Sequence, residues 1–307
     1  MTMLVTTPAA FAKALAKLPP LHDTRPTARA AFLVAPDANE LAAESARDNR
    51  YMCMDTGFDG TRALTQHAAL ARALRADVPV VTFPGDPASP DAMFPNNVFA
   101  TAPGRFIVAR MRHAVRQREA ERSDIRGFFR DALHYEEIDL SRGDRGVAEL
   151  TGSLVIDHVR GVGYCGLSER CDMDGARAMH DAFGLRLMFC FELAAGEYHT
   201  NVVMASLAGR AVVLAPDGFA DPAVPRAIAQ AFDGHTLWLT ARQKRAYAAN
   251  AITLSNERVW MSARASASLD DAQRTALAEW GFVVGAVELD EIEKAGGSLR
   301  CCVGEIF

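Results

Sequence analysis

Six consecutive residues, Gly296-Gly297-Ser298-Leu299-Arg300-Cys301, combine what a thiol nucleophile needs. A glycine pair turns the backbone sharply, a basic residue follows, and a cysteine then opens a short apolar strand running from Leu299 to Ile306. Thiolate is the reactive form of cysteine, and a neighbouring positive charge with nearby backbone donors lowers its pKa. The chemistry on offer at Cys301 is nucleophilic attack. Far upstream, other polar groups sit in comparable places. Asp91-Ala92-Met93-Phe94-Pro95-Asn96-Asn97 follows a proline-rich loop and precedes a strand. Glu149-Leu150-Thr151-Gly152-Ser153 stands at a loop-to-strand start, and Tyr198-His199-Thr200-Asn201 opens the apolar run Val202-Val203-Met204. Polar residues gathered at strand starts suit a site assembled at one rim of a central array.

Each group also has a plain reading when taken alone. Asn96-Asn97 after proline is a turn sequence. His199 is a hydrogen-bonded structural histidine, and Glu149 is half of a surface ion pair with Arg145. Cys301 and Cys302 are small buried hydrophobes. It is the joint occurrence of these groups that favours a site.

The elements that must position them alternate throughout the chain. Ala31 to Ala35 reads as a buried strand and Asn39 to Tyr51 as a helix. Arg62 to Arg75 is a second helix leading to the strand Pro79 to Phe83, and the proline-rich 84–90 segment is a loop. Val98 to Thr101 and Phe106 to Ala109 form a hairpin around Pro103-Gly104, followed by a helix from about Arg116 to Leu133. In the second half, strands at Leu154 to Val159 and Gly163 to Gly166 flank Arg160-Gly161, and Met173 to Phe183 is helical. Strands follow at Leu185 to Phe191, His199 to Ala205 and Ala211 to Ala215. Strand His235 to Leu239, helix Ala241 to Ala249, a hairpin around Asn256, helix Asp270 to Trp280 and strand Phe282 to Leu289 complete the rhythm. Strand pairs followed by a helix, recurring every ~50 to 60 residues, point to a pseudo-symmetric α/β array. No linker breaks the chain, so residues 1–307 are expected to form a single domain, with 1–25 as an N-terminal extension.

Composition narrows the function classes. Of 307 residues, 50% are hydrophobic and 23% charged, ample for a sizeable core. A net charge of −5 with bases spread along the chain gives no reason to expect nucleic acid or an anionic membrane as partner. No stretch approaches the ~18 apolar residues of a membrane span, and residues 1–18 read as a short amphipathic helix, not a signal peptide. Six cysteines without a C-x-x-C pair argue against zinc and a disulfide framework, and for reduced thiols in the cytoplasm.

With its motifs taken together, the chain resembles the guanidino-group modifying (pentein) superfamily of arginine deiminases, dimethylarginine hydrolases and amidinotransferases. The resembling stretches are Phe94-Pro95-Asn96-Asn97, Glu149 ahead of Thr151-Gly152-Ser153, Gly166-Leu167-Ser168-Glu169-Arg170, Tyr198-His199-Thr200-Asn201 and Gly296 to Cys301. It looks most like the arginine-deiminase-related branch that includes citrulline-utilisation hydrolases. The resemblance implies a five-fold ββαβ propeller and covalent catalysis without metal or cofactor. Cys301 would attack the central carbon of a guanidinium or ureido group, His199 would protonate the departing amine and then activate water, and Glu149 would orient His199. Strand alternation would turn Cys302 to the opposite face. Asp91 matches a substrate-gripping aspartate and Arg170 a carboxylate-binding arginine, with Arg116 serving a similar end.

Departures from the pattern bear on the substrate. Asn96-Asn97 stand where deiminases and dimethylarginine hydrolases carry an acidic pair, and amides suit a neutral ureido group as well as a cation. Gly296 replaces an aspartate of the dimethylarginine hydrolases. The resemblance therefore implies citrulline hydrolysis to ornithine, ammonia and carbon dioxide, with hydrolysis of arginine or dimethylarginine to citrulline as the alternative. The non-enzyme alternative is a propeller-fold binding factor. A small amino acid is the expected partner. A homodimer stays open, since neither aromatic content nor surface pattern marks a dimer face.

Overall fold

The computed structural model describes residues 3–22, 24–38, 40–143 and 146–307. Its strands fall into five sheets, each built to one plan. Strand β1 (Leu4–Val5) is the exception that joins a finished sheet. After it, β2 (Ala30–Val34) pairs in parallel with β3 (Val80–Phe83). Next, β4 (Phe99–Ala102) turns back on β5 (Arg105–Val108), which pairs in parallel with β6 (Glu136–Asp139). The same antiparallel-then-parallel plan recurs in β7 (Leu154–Asp157), β8 (Val162–Leu167) and β9 (Leu187–Glu192). It recurs again in β10 (Met204–Leu207), β11 (Ala211–Leu214) and β12 (Thr236–Trp238). A fourth instance is β13 (Ile252–Thr253), β14 (Arg258–Ser262) and β15 (Val283–Val287). Finally, β16 (Gly304–Ile306) runs antiparallel to β2, supplying the missing first strand of the β2–β3 sheet. The segment that carries Cys301 thus closes the ring.

Local sequence explains the pieces. Helix Gly60–Leu74 is capped by Asp59, whose carboxylate accepts the Arg62 amide at 3.0 Å, and it buries Ala63, His67, Leu70, Ala71 and Leu74 along one stripe. Helix Met173–Phe183 starts on Asp172 and ends on Gly184 in the left-handed region at φ +65°. Strands such as Leu187–Glu192 read almost continuously apolar because both faces are covered. The N-terminal helix Pro8–Leu15 stacks Phe11 on Phe189 at 4.7 Å, and β1 lies parallel to β9.

A belt of hydrogen bonds ties the sheets together where their first strands begin. The Asn96 carbonyl accepts from Thr151 Oγ1 (3.1 Å), the Thr151 carbonyl from Asn201 Nδ2 (3.0 Å), and the Asn201 carbonyl from Asn250 Nδ2 (2.9 Å). Asn250 Oδ1 then accepts the Arg300 amide at 3.0 Å. Side chains at matching positions of successive sheets therefore hold the strand starts in one layer, which places the polar motifs side by side.

Three expectations are corrected. The expected helix from 39 to 51 is mostly irregular, with only a short turn at Ser45–Arg47, and its first residue, Asn39, lies outside the described residues. Polar groups of this segment bond elsewhere: Ser45 Oγ to Asp91, Asn49 Nδ2 to the Gly296 carbonyl. The expected helix from 116 to 133 is broken into four short turns, because Arg116, Glu119 and Arg126 point inward and are buried with their partners. Leu299–Cys302 is a helical turn, not the start of a strand, and strand pairing begins only at Gly304.

Candidate functional site

Four of the five sheets open on a short helical turn: Pro95–Asn97, Leu150–Ser153, Thr200–Val202 and Leu299–Cys302. A small cavity lies beside them: Asn97 of the first turn and Cys301 of the last line it, His199 reaches it from just before the third, and Ser45, Asp91 and Arg116 complete the polar wall. Arg170 also lines it. Asn96 is fully buried, and it is Asn97, not Asn96, that faces the cavity. Glu149 sits one layer behind, its Oε2 at 2.8 Å from His199 Nε2.

Hydrogen bonds fix most of the walls. Arg170 engages its whole guanidinium: Nη1 with Glu149 Oε2 (3.1 Å), Nε with Asp48 Oδ1 (2.9 Å), Nη2 with Asp48 and the Ser45 carbonyl. Arg116 is bidentate to Glu119 at 2.8 and 2.9 Å and reaches the Phe94 carbonyl at 3.0 Å. Arg145, expected as a partner of Glu149, lies outside the described residues. Several buried atoms, by contrast, have no partner: Asp91 Oδ1, Asn97 Oδ1, both amide atoms of Asn96, and His199 Nδ1. An unmet buried polar atom costs about 1–3 kcal/mol. Those that face the cavity therefore mark it as built for a polar guest.

The two cysteines separate by environment. Both pack in one apolar cluster with Leu33, Leu299 and Val303, but Cys301 also lines the cavity and Cys302 does not. Burial pushes the Cys301 thiol up, against the opposing pull of the Ser298 turn, Asn250 and Arg300. The expected acidifying effect of Arg300 is thus outweighed; its guanidinium is turned to the Val303 carbonyl (2.8 Å) and Glu305 (2.7 Å). Burial likewise lowers His199, which Glu149 only partly offsets. Burial would raise Glu149, but the Arg170 guanidinium and His199 overcome it and hold the carboxyl below its ordinary range. At rest the group is a neutral thiol, a neutral imidazole and an ionised carboxylate. An ionised Glu149 accepts Nε2–H, so the His199 lone pair lies on Nδ1. Among the described residues, no group of three or more His, Cys, Asp or Glu is placed to hold a metal ion.

Sequence reasoning passed over Ser45, Asp48 and Asn250. Asn250 had a signal: it stands just before strand β13 as Asn201 stands before β10. Ser45 and Asp48 had none, since they act from an irregular segment.

Gly152 is needed for room. A Cβ there would lie 2.6 Å from Asn97 Oδ1 and 2.8 Å from His199 Nδ1. Gly152→Ala should displace one of these side chains and lower kcat/KM by roughly 10²-fold, since a shift near 1 Å is enough. Steady-state kinetics beside a thermal melt check this, and Tm should move by only a few degrees.

The sequence profile of eukaryotic N,N dimethylarginine dimethylhydrolases matches residues 35–307. The chain belongs to this dimethylarginine hydrolase family. It thereby falls among the pentein hydrolases, which act on C–N bonds of guanidino groups. No curated protein matches the chain in sequence. Among solved structures, the substrate-bound N-terminal domain of ArgZ, an arginine dihydrolase from the ornithine-ammonia cycle in cyanobacteria, is 19% identical, with a TM-score of 0.77 over 90% of this chain and 97% of that one. AgrE in ternary complex with ornithine and NAD+ is 20% identical at a TM-score of 0.77, covering 91% of this chain but 39% of AgrE. A dimethylarginine dimethylaminohydrolase adduct with 4-chloro-2-hydroxymethylpyridine is 23% identical, with a TM-score of 0.68 over 91% and 100% of the two chains. At these identities the likeness establishes the five-fold propeller.

Proposed function

We propose that this chain hydrolyses the guanidino or ureido carbon of an arginine-like amino acid through a covalent bond to Cys301, and that it carries the reaction through to ornithine. The observation that carries this reading is the set of unmet acceptors in the cavity, Asp91 Oδ1 and Asn97 Oδ1. Both call for N–H donors, which guanidinium and ureido groups each present at their planar end. With one carboxylate and amides in place of a second, the site does not require a full cation. The neutral ureido product of a first hydrolysis can stay as substrate for another.

The chemistry runs as follows. A substrate N–H group settles on Asp91 and Asn97 while the Cys301 proton moves to His199 Nδ1. Sγ bonds to the central carbon, and the tetrahedral adduct breaks its C–N bond as His199 returns the proton to the leaving ammonia. Water, deprotonated by the same Nδ1, then adds to the carbon, and the C–S bond breaks as that proton passes to the departing sulfur. Starting from arginine this yields citrulline. From citrulline the same steps yield a carbamate, which loses carbon dioxide to leave ornithine. Glu149 keeps Nε2 as the donor and stabilises the imidazolium, and Arg170 holds Glu149. Arg116 is a candidate for the substrate's carboxylate at the cavity wall, and Asn96 supports the turn that presents Asn97. We further infer a single domain over residues 1–307 and a cytoplasmic setting, which the six free cysteines suit.

A second reading, release of dimethylamine from dimethylarginine to leave citrulline, is favoured by the family match. Incubation with citrulline, arginine and dimethylarginine separately, with products identified by mass spectrometry, separates the two. Ornithine from citrulline and arginine is expected. Citrulline as the end product supports the second reading, and no product from any of the three overturns both.

A further inference from the structure

Asn250 takes no part in the steps above, yet it is fully buried against the reacting sulfur. Its Oδ1 accepts the amides of Arg300 (3.0 Å) and Cys301 (3.4 Å), and its Nδ2 lies 2.9 Å from the Asn201 carbonyl and 3.3 Å from Cys301 Sγ. The two ends of an asparagine amide are alike in shape, so their assignment must come from partners. Here the partners decide it. Two backbone N–H groups can meet only an acceptor, which turns Oδ1 to the 299–302 turn and leaves Nδ2 facing the sulfur and a carbonyl. A hydrogen bond to an ionised acceptor is roughly twice as strong as one to a neutral acceptor. The contact therefore strengthens as the thiol loses its proton. Arg300 cannot supply this donor, since its guanidinium is committed to the Val303 carbonyl and Glu305.

We propose that Asn250 is a catalytic residue: its Nδ2 donates to the Cys301 sulfur and stabilises the attacking thiolate, while its Oδ1 holds the turn that presents it. The proposal rests on Cys301 being the nucleophile. Asn250→Asp divides the two tasks, because it keeps an acceptor for the Arg300 and Cys301 amides but sets a carboxylate oxygen against the sulfur. Two readouts serve: iodoacetamide alkylation of Cys301 against pH in the absence of substrate, and steady-state kinetics.

The alkylation midpoint of Asn250→Asp should rise by a pH unit or more, about tenfold less thiolate at a given pH, and kcat should fall roughly 10²-fold, as when one donor to a developing anion is removed. KM should stay within about threefold, and Asn250→Ala should shift both readouts the same way. A carboxylate beside the sulfur raises the thiol by repulsion alone, so Asn250→Ala decides: an Ala variant that melts cooperatively yet titrates like the wild type overturns the proposal. A readout free of variants guards against misfolding. In the wild-type protein, the Asn250 side-chain amide resonance should move over the same pH range in which Cys301 alkylates, and a constant resonance overturns the proposal. No substrate is needed for either titration. A protein inert towards all three amino acids that still shows the coupled shift would uphold the donor and sink only the substrate reading.

Discussion

Cys301→Ser should turn over none of the three amino acids, a loss of at least ~10⁴-fold, the scale on which removal of a covalent nucleophile acts. Serine places a hydroxyl of far higher pKa in the same pocket, and burial leaves His199 a weaker base than an ordinary imidazole for removing its proton. Cys302→Ala should keep kcat within about threefold. Cys302 is not among the residues that line the cavity, and burial raises its thiol well above the ordinary cysteine range. Loss of one small buried group should appear as lower Tm and not as lost turnover. Steady-state kinetics together with intact-mass detection of a trapped adduct distinguish the two. An active Cys301→Ser protein, or an adduct on Cys302, would move the chemistry to the neighbouring residue and undo the proposed mechanism.

Glu149→Gln should lower kcat by roughly 10³- to 10⁴-fold, comparable to neutralising the orienting carboxylate of other histidine-based sites. The physical reason is the tautomer. A carboxylate 2.8 Å from Nε2 can only accept, so it forces the lone pair onto Nδ1. A glutamine can donate its N–H to Nε2, which moves the proton to Nδ1 and removes the base from the cavity. The fold should survive, because Arg170 keeps both bonds to Asp48. The pH dependence of stability adds a second readout. Glu149 is held below its ordinary value of 4.5, so its contribution is present above that pH and is lost as acid takes the protein down through the depressed value. Wild type should therefore lose its stability advantage over Glu149→Gln only below about pH 4.5. Equal kcat values for the two proteins would remove Glu149 from the mechanism.

The repeated strand pairs were legible because their hairpins carry local signals. Pro103-Gly104 and Arg160-Gly161 each mark a turn, with Gly104 and Gly161 at φ +73° and +65°. Helix 173–183 was legible from its cap and its stripe. The 299–302 turn was not, because four residues of mixed apolar character fit a strand and a helical turn equally well. The expected helix from 39 to 51 misled for a different cause: its residues suit a helix, but Ser45, Asp48 and Asn49 make better bonds to Asp91, Arg170 and Gly296. Tertiary partners overrode propensity there. The polar motifs were visible as residues but not as a geometry. Nothing in the order of the chain says that Arg170 closes on Glu149, or that Asn97 rather than Asn96 turns inward.

One feature of the ring bears on how the molecule comes into being. Strand β16 is laid against β2 across more than 270 residues, and the cysteine turn immediately precedes it. Contacts between such distant parts of a chain form late, since the loop between them must first be closed. The cysteine turn is consequently expected among the last parts to be assembled. A half-folded molecule should then hold its histidine and its thiol apart, with turnover expected only once the circle is complete. Catalytic onset in a refolding experiment would then act as a clock for ring closure, lagging behind the early helical signal.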